Sequence, residues 1–248
     1  MSNERPCTII LFTRIPIAGR TKTRLLPILS ADECALLQRA MALDLAEKLA
    51  ALGSPLMLCY SDEWRDIEGG EALRDAFIED VRQAASEAVE LTIVSQEGSG
   101  LGQRMSNAMQ MAFDAGAGGC ILMGSDLPDV MRTDIEIAQR ALTYSDVVLG
   151  PSSDGGYWLI GTRTPFPAIF EGKHYGGSSV LTEAVAACRA YGRKVALSRE
   201  TFDIDVPQDY YQLCKQVSTG DFRLGPRTVE AVSHLMEVSA VVPEDSVQ

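Results

Sequence analysis

Short apolar runs alternate along the chain with longer amphipathic stretches. Cys7–Thr13 is a continuous, partly β-branched apolar run, suited to a strand buried on both faces. Similar runs predict strands over Pro55–Tyr60, Leu91–Ser95, Cys120–Met123 and Val147–Gly150, and over 157–161 and 194–198. Ser30 precedes Glu33 by three positions, a capping box opening a helix through about Leu52, with Leu36, Leu37, Ala40, Leu43 and Ala50 as its core-facing stripe. Gly53 and Pro55 end it. Helical patterns follow over about 71–88, 103–113, 134–142 and 180–190, with a short helix after Asp209 and a last one over about 228–238. The tail from Ala240 is expected to fray. This strand, loop and helix rhythm predicts an α/β domain with a largely parallel sheet and active loops at the carboxyl ends of its strands.

Composition fits that reading. The 248 residues suffice for one domain with a substantial core, and 46% apolar with 23% charged residues is an ordinary globular balance. A net charge of -12 argues against a nucleic-acid partner. The charge is uneven: residues 1–30 hold Arg5, Arg14, Arg20, Lys22 and Arg24 against Glu4, a net +4, leaving -16 for the rest. The segment 61–90 carries ten acidic and three basic residues and reads as a solvated charged helix. Cys7, Cys34, Cys59, Cys120, Cys188 and Cys214 include no CxxC pair and sit among apolar neighbours, as buried free thiols do. No apolar run approaches the roughly 20 residues that cross a bilayer, and no secretory cleavage pattern opens the chain. A cytoplasmic protein without a membrane partner is expected.

Five loops carry chemistry. Pro16–Leu25 follows the first strand; Gly19 opens backbone N–H groups, and Arg20, Lys22 and Arg24 supply three cations for phosphates, although a solvated basic turn is the competing reading. Its spacing is neither a Walker A motif nor a dinucleotide fingerprint. In Gly124–Asp129, Asp126 either caps the next helix or holds Mg²⁺ or Mn²⁺. In Asp203–Asp209, alternation puts Asp203 and Asp205 on one side of an extended segment, before a helix opened by Pro207 and stabilised by Asp209. In Gly150–Trp158, Gly155 and Gly156 allow a tight turn or close ligand approach; Asp154 offers acceptors to a hydroxylated ligand, and Tyr157 or Trp158 a stacking face. Lys173–Ser179 contains His174, one of two histidines; the other, His234, reads as structural. A His-rich zinc site is excluded, and no GxSxG elbow supports a Ser-His-Asp triad.

Arg20–Leu25, Gly98–Met105, Gly124–Asp129, Gly150–Tyr157 and Asp203–Asp209 together resemble, in order, the motifs of the DUF2064 family, over roughly residues 7–213. That family belongs to the nucleotide-diphospho-sugar transferase superfamily. Relatives include glycosyltransferases of arsenosugar biosynthesis and, more distantly, guanylyltransferases of molybdenum-cofactor and coenzyme F420 synthesis. The resemblance implies a three-layer α/β/α domain with a mixed, mostly parallel sheet, the glycosyltransferase-A fold. Residues 1–213 would form that domain and 214–248 its C-terminal helical extension and tail.

The resemblance also implies roles. Pro16, Gly19, Arg20, Lys22, Thr23 and Arg24 would hold a diphosphate, and Gly100, Gly102 and Arg104 would lie near base or ribose. Asp126 and Asp205 would hold Mg²⁺ or Mn²⁺. Asp154, Gly155, Gly156, Tyr157, His174 and Ser178 would lie on the acceptor side, with Lys22 and Asp154 as catalytic candidates and Asp154 as general base. Two departures stand out: Ser125-Asp126-Leu127 keeps one aspartate where classical glycosyltransferases have Asp-x-Asp, and Tyr175 stands where relatives often carry tryptophan. The implied activity is glycosyl transfer from a nucleotide-diphospho-sugar to a small acceptor. Nucleotidyl transfer from an NTP to a phosphorylated small molecule is the alternative, and a non-catalytic nucleotide-binding protein a third. Oligomeric state leaves no trace in the pattern.

Overall fold

The computed structural model describes residues 5–86 and 90–241. The chain, expected to fray from Ala240, is helical through Val241; the rest of that tail, and the end of the helix read through Ala88, lie outside the described residues. Among the described residues one sheet contains seven strands: β1 (Cys7–Thr13), β2 (Leu56–Tyr60), β3 (Leu91–Ser95), β4 (Gly119–Gly124), β5 (Val147–Pro151), β6 (Tyr157–Thr162) and β7 (Val195–Leu197). Their order is β3-β2-β1-β4-β6-β5-β7. Only the pairings of β6 with β4 and with β5 are antiparallel, so the sheet is mixed and mostly parallel, as expected. The helices are α1 (Ala31–Ala50), α2 (Gly70–Ala85), α3 (Leu101–Asp114), α4 (Arg132–Ala141), α5 (Val180–Ala190), α6 (Pro207–Ser218) and α7 (Pro226–Val241).

Side-chain alternation along β1 separates two cores. Ile9 and Leu11 face a layer with Leu45 and Leu49 of α1, Phe77 and Val81 of α2, and Ile135 of α4. Ile10 faces the other side, with Met105 and Met109 of α3 and Ala184 and Cys188 of α5. A third cluster joins Leu37 and Met41 of α1 to Tyr210 and Leu213 of α6 and to Val232 and Leu235 of α7. Helix α1 is therefore covered on two sides. This explains why Leu36, expected in the core stripe, is 38% exposed while Gln38 and Asp44 are buried. Asp44 accepts hydrogen bonds from Thr228 N and Thr228 Oγ1, both at 2.7 Å, and so satisfies the amino end of α7.

Ser30 and Glu33 form the expected capping box. At α6, Pro207 occupies the first turn and Asp209 accepts from Val206 N at 2.8 Å. Position 213, the expected boundary of the extension, falls inside α6. Among the described residues no helix is long and apolar enough to cross a membrane.

The chain lays down β1, β2 and β3 in one direction and returns to place β4 on the other flank of β1. In an open α/β sheet this reversal leaves a crevice at the carboxyl ends of the two central strands. Here those ends are Thr13 and Gly124.

Candidate active site

The loop after β1 is anchored by the buried Ile15 and Ile17. Arg20 N and Thr21 N both donate to Ile17 O, closing a tight turn around Gly19 at φ 73°. Lys22 follows in a left-handed conformation, φ 49° and ψ 37°, which non-glycine residues rarely adopt. Its side chain is only 4% exposed, and its ammonium donates to Asp126 Oδ2 at 2.7 Å and to the Ile204 carbonyl. Arg24, two residues on, pairs with Asp205 at the surface. The cationic loop is thereby tied to both later carboxylate loops.

Beneath it lies a polar floor. Thr13 Oγ1 donates to the Arg14 carbonyl at 3.1 Å, so the 2.7 Å contact between Thr13 and Ser125 places the donated proton on Ser125. Ser125 Oγ in turn accepts from Gln38 Nε2 at 2.8 Å. Gln96, just after β3, spends its Nε2 on the carbonyls of Thr13 and Cys59, both at 3.1 Å. Thr21 Oγ1 and Ser61 Oγ are buried without a partner. Unpartnered polar atoms cost stability and are uncommon in native interiors. Both atoms border the same cleft.

The cleft has a volume of about 700 Å³. Arg14, Lys22, Arg24 and Arg104 line it, and each has a carboxylate partner: Glu63 at 3.3 Å, Asp126 at 2.7 Å, Asp205, and Asp62 at 3.6 Å. Helix α3 also presents its amino end there, at Gly100, which provides no side-chain cap. Backbone N–H groups at such an end favour anions.

A smaller cavity of about 190 Å³ adjoins it across Leu101, Asp126, Tyr175 and Gly176. Asp126, Asp154 and Asp203 line this second space, with Tyr157 and Trp158. Asp203 accepts from Ser152 Oγ at 3.2 Å. Burial, then the charge of Asp126, pushes its carboxyl up to about 6, and Asp154 adds to the shift. Asp126 and Asp203 line the same small space, and carboxylate oxygens are the donors a hard divalent cation takes, so the two fit Mg²⁺ or Mn²⁺. Among the described residues no group of three or more His, Cys, Asp or Glu side chains is placed to hold a metal ion. An ion held by these two would therefore leave coordination positions to water or phosphate oxygens.

Lys22, Thr23, Arg24, Gly100, Arg104, Asp126 and Asp205 line the larger cleft, and Asp126, Asp154, Gly156 and Tyr157 the smaller. Pro16, Gly19, Arg20, Gly102, Gly155, His174 and Ser178 line neither. Arg20 is exposed and contributes its carbonyl to Arg14 Nη1 at 3.4 Å. His174 and Ser178 are exposed. Two glycines expected beside a ligand instead accommodate the protein itself. A Cβ on Gly102 would lie 2.7 Å from the Tyr175 ring, and one on Gly155, at φ 88°, 2.2 Å from Ser178 O.

Asp203 and Asp205 do not share one face, contrary to the alternation expected of an extended segment. The intervening Ile204 is buried and donates its N–H to Asp126 O at 3.1 Å. The chain turns there, so Asp203 lines the smaller cavity and Asp205 the larger. Arg14, Gln38, Ser61, Glu63 and Gln96 also line the larger cleft without having been singled out by the sequence. The available signal was position: Arg14, Ser61 and Gln96 directly follow the carboxyl ends of the parallel strands β1, β2 and β3.

Fold and cleft together define a member of the broad nucleotide-diphospho-sugar transferase and nucleotidyltransferase class of α/β proteins, with the glycosyltransferase-A-like architecture. The chain belongs to the DUF2064 family, described as "uncharacterized protein conserved in bacteria", whose model matches residues 45–177. It is similar to a proposed nucleotide-diphospho-sugar transferase from Desulfovibrio desulfuricans G20, with 30% identity, 93% of this chain and 97% of that one covered, and a TM-score of 0.79. Two further structures share the fold. HddC from Yersinia pseudotuberculosis is 14% identical, with 85% of this chain and 99% of that one covered and a TM-score of 0.52. The 4-diphosphocytidyl-2C-methyl-D-erythritol synthase of Anaerococcus prevotii DSM 20548 is 9% identical, with 93% and 96% covered and a TM-score of 0.53. No curated protein matches the sequence.

Proposed function

We propose that the protein is a divalent-metal-dependent nucleotidyltransferase that joins the nucleotidyl group of an NTP to a phosphorylated small molecule. The observation that carries this reading is the Lys22–Asp126 contact at 2.7 Å, within a cleft ringed by Arg14, Lys22, Arg24 and Arg104. Each of these cations rests on a carboxylate and can exchange it for a phosphate oxygen of a nucleoside triphosphate. A volume of about 700 Å³ is in the range of small-molecule sites.

In this reading the larger cleft takes the nucleotide. Lys22, Arg14, Arg24 and Arg104 bind its phosphates, and the amino end of α3 at Gly100 adds backbone donors. The acceptor enters the smaller cavity against Tyr157. One of its phosphate oxygens attacks the α-phosphorus while the bond to the β-phosphate oxygen breaks and pyrophosphate leaves. Mg²⁺ or Mn²⁺ held by Asp126 and Asp203 would offset phosphate charge and stabilise the leaving group. Lys22 holds the polyphosphate beside Asp126, and Ser125 and Gln38 fix the floor beneath. The helices through residue 241 belong with this one transferase domain.

Glycosyl transfer is the second reading, favoured by one observation. Asp154 and Asp203 line the smaller cavity, and none of its described lining residues is a cation. A hydroxyl acceptor suits that lining, with Asp154 accepting its proton. The 30%-identical relative, a proposed nucleotide-diphospho-sugar transferase, supports the same reading.

A thermal-shift screen separates the two. It compares the four NTPs with UDP-, GDP-, ADP- and CDP-sugars, each with Mg²⁺, Mn²⁺ or EDTA. Metal-dependent stabilisation by an NTP and by no nucleotide-sugar is the expected result. Stabilisation by a nucleotide-sugar alone would favour glycosyl transfer, and by neither class would sink both.

A further inference from the structure

The ammonium of Lys22 is fixed on two oxygen donors, Asp126 Oδ2 at 2.7 Å and the Ile204 carbonyl, with its side chain 4% exposed. Carboxylate and carbonyl oxygens are also the ligands preferred by a hard cation. Asp203, the other carboxylate assigned to the metal, immediately precedes Ile204. The side chain that binds phosphate in the proposed function therefore occupies oxygen that the metal needs. The other cations of the cleft do not share this position: Arg14 is on Glu63, Arg104 on Asp62 and Arg24 on Asp205.

We infer that Lys22 is a built-in counter-cation that holds the metal site closed until a polyphosphate draws its ammonium away from Asp126. A phosphate chain arriving in the cleft gives Lys22 a new anionic partner. That transfer frees Asp126 Oδ2 and the Ile204 carbonyl for the divalent ion. Phosphate and metal are thereby coupled through one ion-pair exchange, and the coupling is reciprocal: each ligand raises the affinity for the other. The Lys22 side chain is 4% exposed and that of Asp126 32%, so an ion that takes Asp126 Oδ2 must displace a largely buried ammonium, and metal alone binds weakly. The inference rests on the proposed metal site and concerns what controls access to it.

The test is Mn²⁺ binding to the full-length, metal-free protein, followed by the electron paramagnetic resonance signal of the free ion, with no nucleotide present. Lys22→Gln keeps a polar side chain but removes the competing charge. It is expected to bind Mn²⁺ about tenfold more tightly than the wild type, while Lys22→Arg is expected to bind as weakly as the wild type. Arg14→Gln removes a cation of the same cleft that does not touch Asp126. It corrects for the general gain in cation affinity and is expected to change binding less than about threefold. Thermal melting of each variant verifies that it is folded. The gain in Lys22→Gln should vanish when Asp126→Ala is added.

Equal or weaker Mn²⁺ binding by folded Lys22→Gln would overturn the inference, as would an equal gain in Arg14→Gln. These results leave the proposed function standing if an NTP with metal still stabilises the wild type. Absence of any Asp126-dependent Mn²⁺ binding, with no nucleotide stabilisation of the wild type, removes both. If Lys22→Gln fails to fold, the wild type decides instead: added tripolyphosphate should tighten Mn²⁺ binding to the wild type more than to Asp126→Ala, and an equal effect on both overturns the inference.

Discussion

Thr201 Oγ1 donates a 2.6 Å hydrogen bond to Asp129, a carboxylate only 2% exposed. The same carboxylate accepts from Arg199 Nη1 and Arg223 Nη1, each at 3.1 Å. Ser153 N donates to Thr201 O, and Trp158 Nε1 to Arg199 O. Asp129 thus ties the segment that leads to Asp203 onto the loop after β4, which carries Asp126. Asp129→Ala removes the common acceptor of two guanidiniums and a hydroxyl, while Arg199 keeps Asp134 and Arg223 keeps Asp221, and is expected to cost about 1.5–3 kcal/mol. Thr201→Val, which leaves both arginines on Asp129, is expected to cost about 1 kcal/mol. Urea denaturation of the two variants measures both, and equal losses would reject this account of the network.

Gly102 sits in the first turn of α3 against two different neighbours. A Cβ there would lie 2.7 Å from Tyr175 Cε2 and 2.8 Å from the Phe170 carbonyl oxygen. Gly102→Ala is expected to destabilise by about 1–3 kcal/mol, more than alanine's helix propensity of up to about 1 kcal/mol returns. A ring can rotate, whereas a backbone oxygen cannot do so freely. Adding Tyr175→Ala should therefore recover only part of any drop in melting temperature caused by Gly102→Ala. Full recovery would assign the clash to the ring alone.

The sheet and its helices were legible because burial imposes period. Every strand and long helix expected from the apolar pattern is present among the described residues, with ends displaced by a few positions. Tertiary relations were less legible. Asp44 lies in mid-helix, where a carboxylate normally meets solvent, and only the packing of α7 onto α1 shows that it is buried on Thr228. The site was half legible. Arg24 and Asp205 are separated by 180 or so positions and by sequence look like independent ligand groups, yet they pair with each other. Lys22 reads as a solvent-facing phosphate binder until its left-handed backbone turns it onto Asp126. Gln96 and Ser61 carry no motif, because their role comes from following adjacent parallel strands.

Acid should loosen the connection between α6 and α7 below about pH 4. Asp221 accepts from Arg223 N and Nε, both at 3.0 Å, and from Arg223 Nη2. The side-chain hydrogen bonds from Arg223, opposed in part by burial, hold its carboxyl down at about 2, below its ordinary 3.8. A depressed folded value means that the unfolded chain binds the proton more readily, so stability from this group is complete above about pH 4 and is lost as the pH falls towards 2. Asp221→Asn removes that dependence. Its stability deficit against the wild type is expected to be constant above pH 4 and to shrink steadily from pH 4 to 2. A deficit that stays constant across this window, in reversible thermal melts, would contradict the assignment.

The two carboxylates of the Asp203-Ile204-Asp205 segment are expected to fail in different ways. Asp203 faces the smaller cavity, and its ionisation is opposed by burial and by Asp126. Asp205 is exposed at its side chain and carries the Arg24 guanidinium. Asp203→Asn should therefore abolish most metal-dependent stabilisation by the bound nucleotide, as Asp126→Asn should. Asp205→Asn should preserve the metal dependence, because an exposed ion pair is worth only about 0–1 kcal/mol and Arg24 remains available to phosphate. Freed from its partner, Arg24 should even bind the polyphosphate somewhat more tightly in Asp205→Asn. Thermal-shift titrations of nucleotide with Mn²⁺ and with EDTA resolve the three variants. Loss of metal dependence in Asp205→Asn but not in Asp203→Asn would return the second ligand to Asp205, as the sequence motif alone implies.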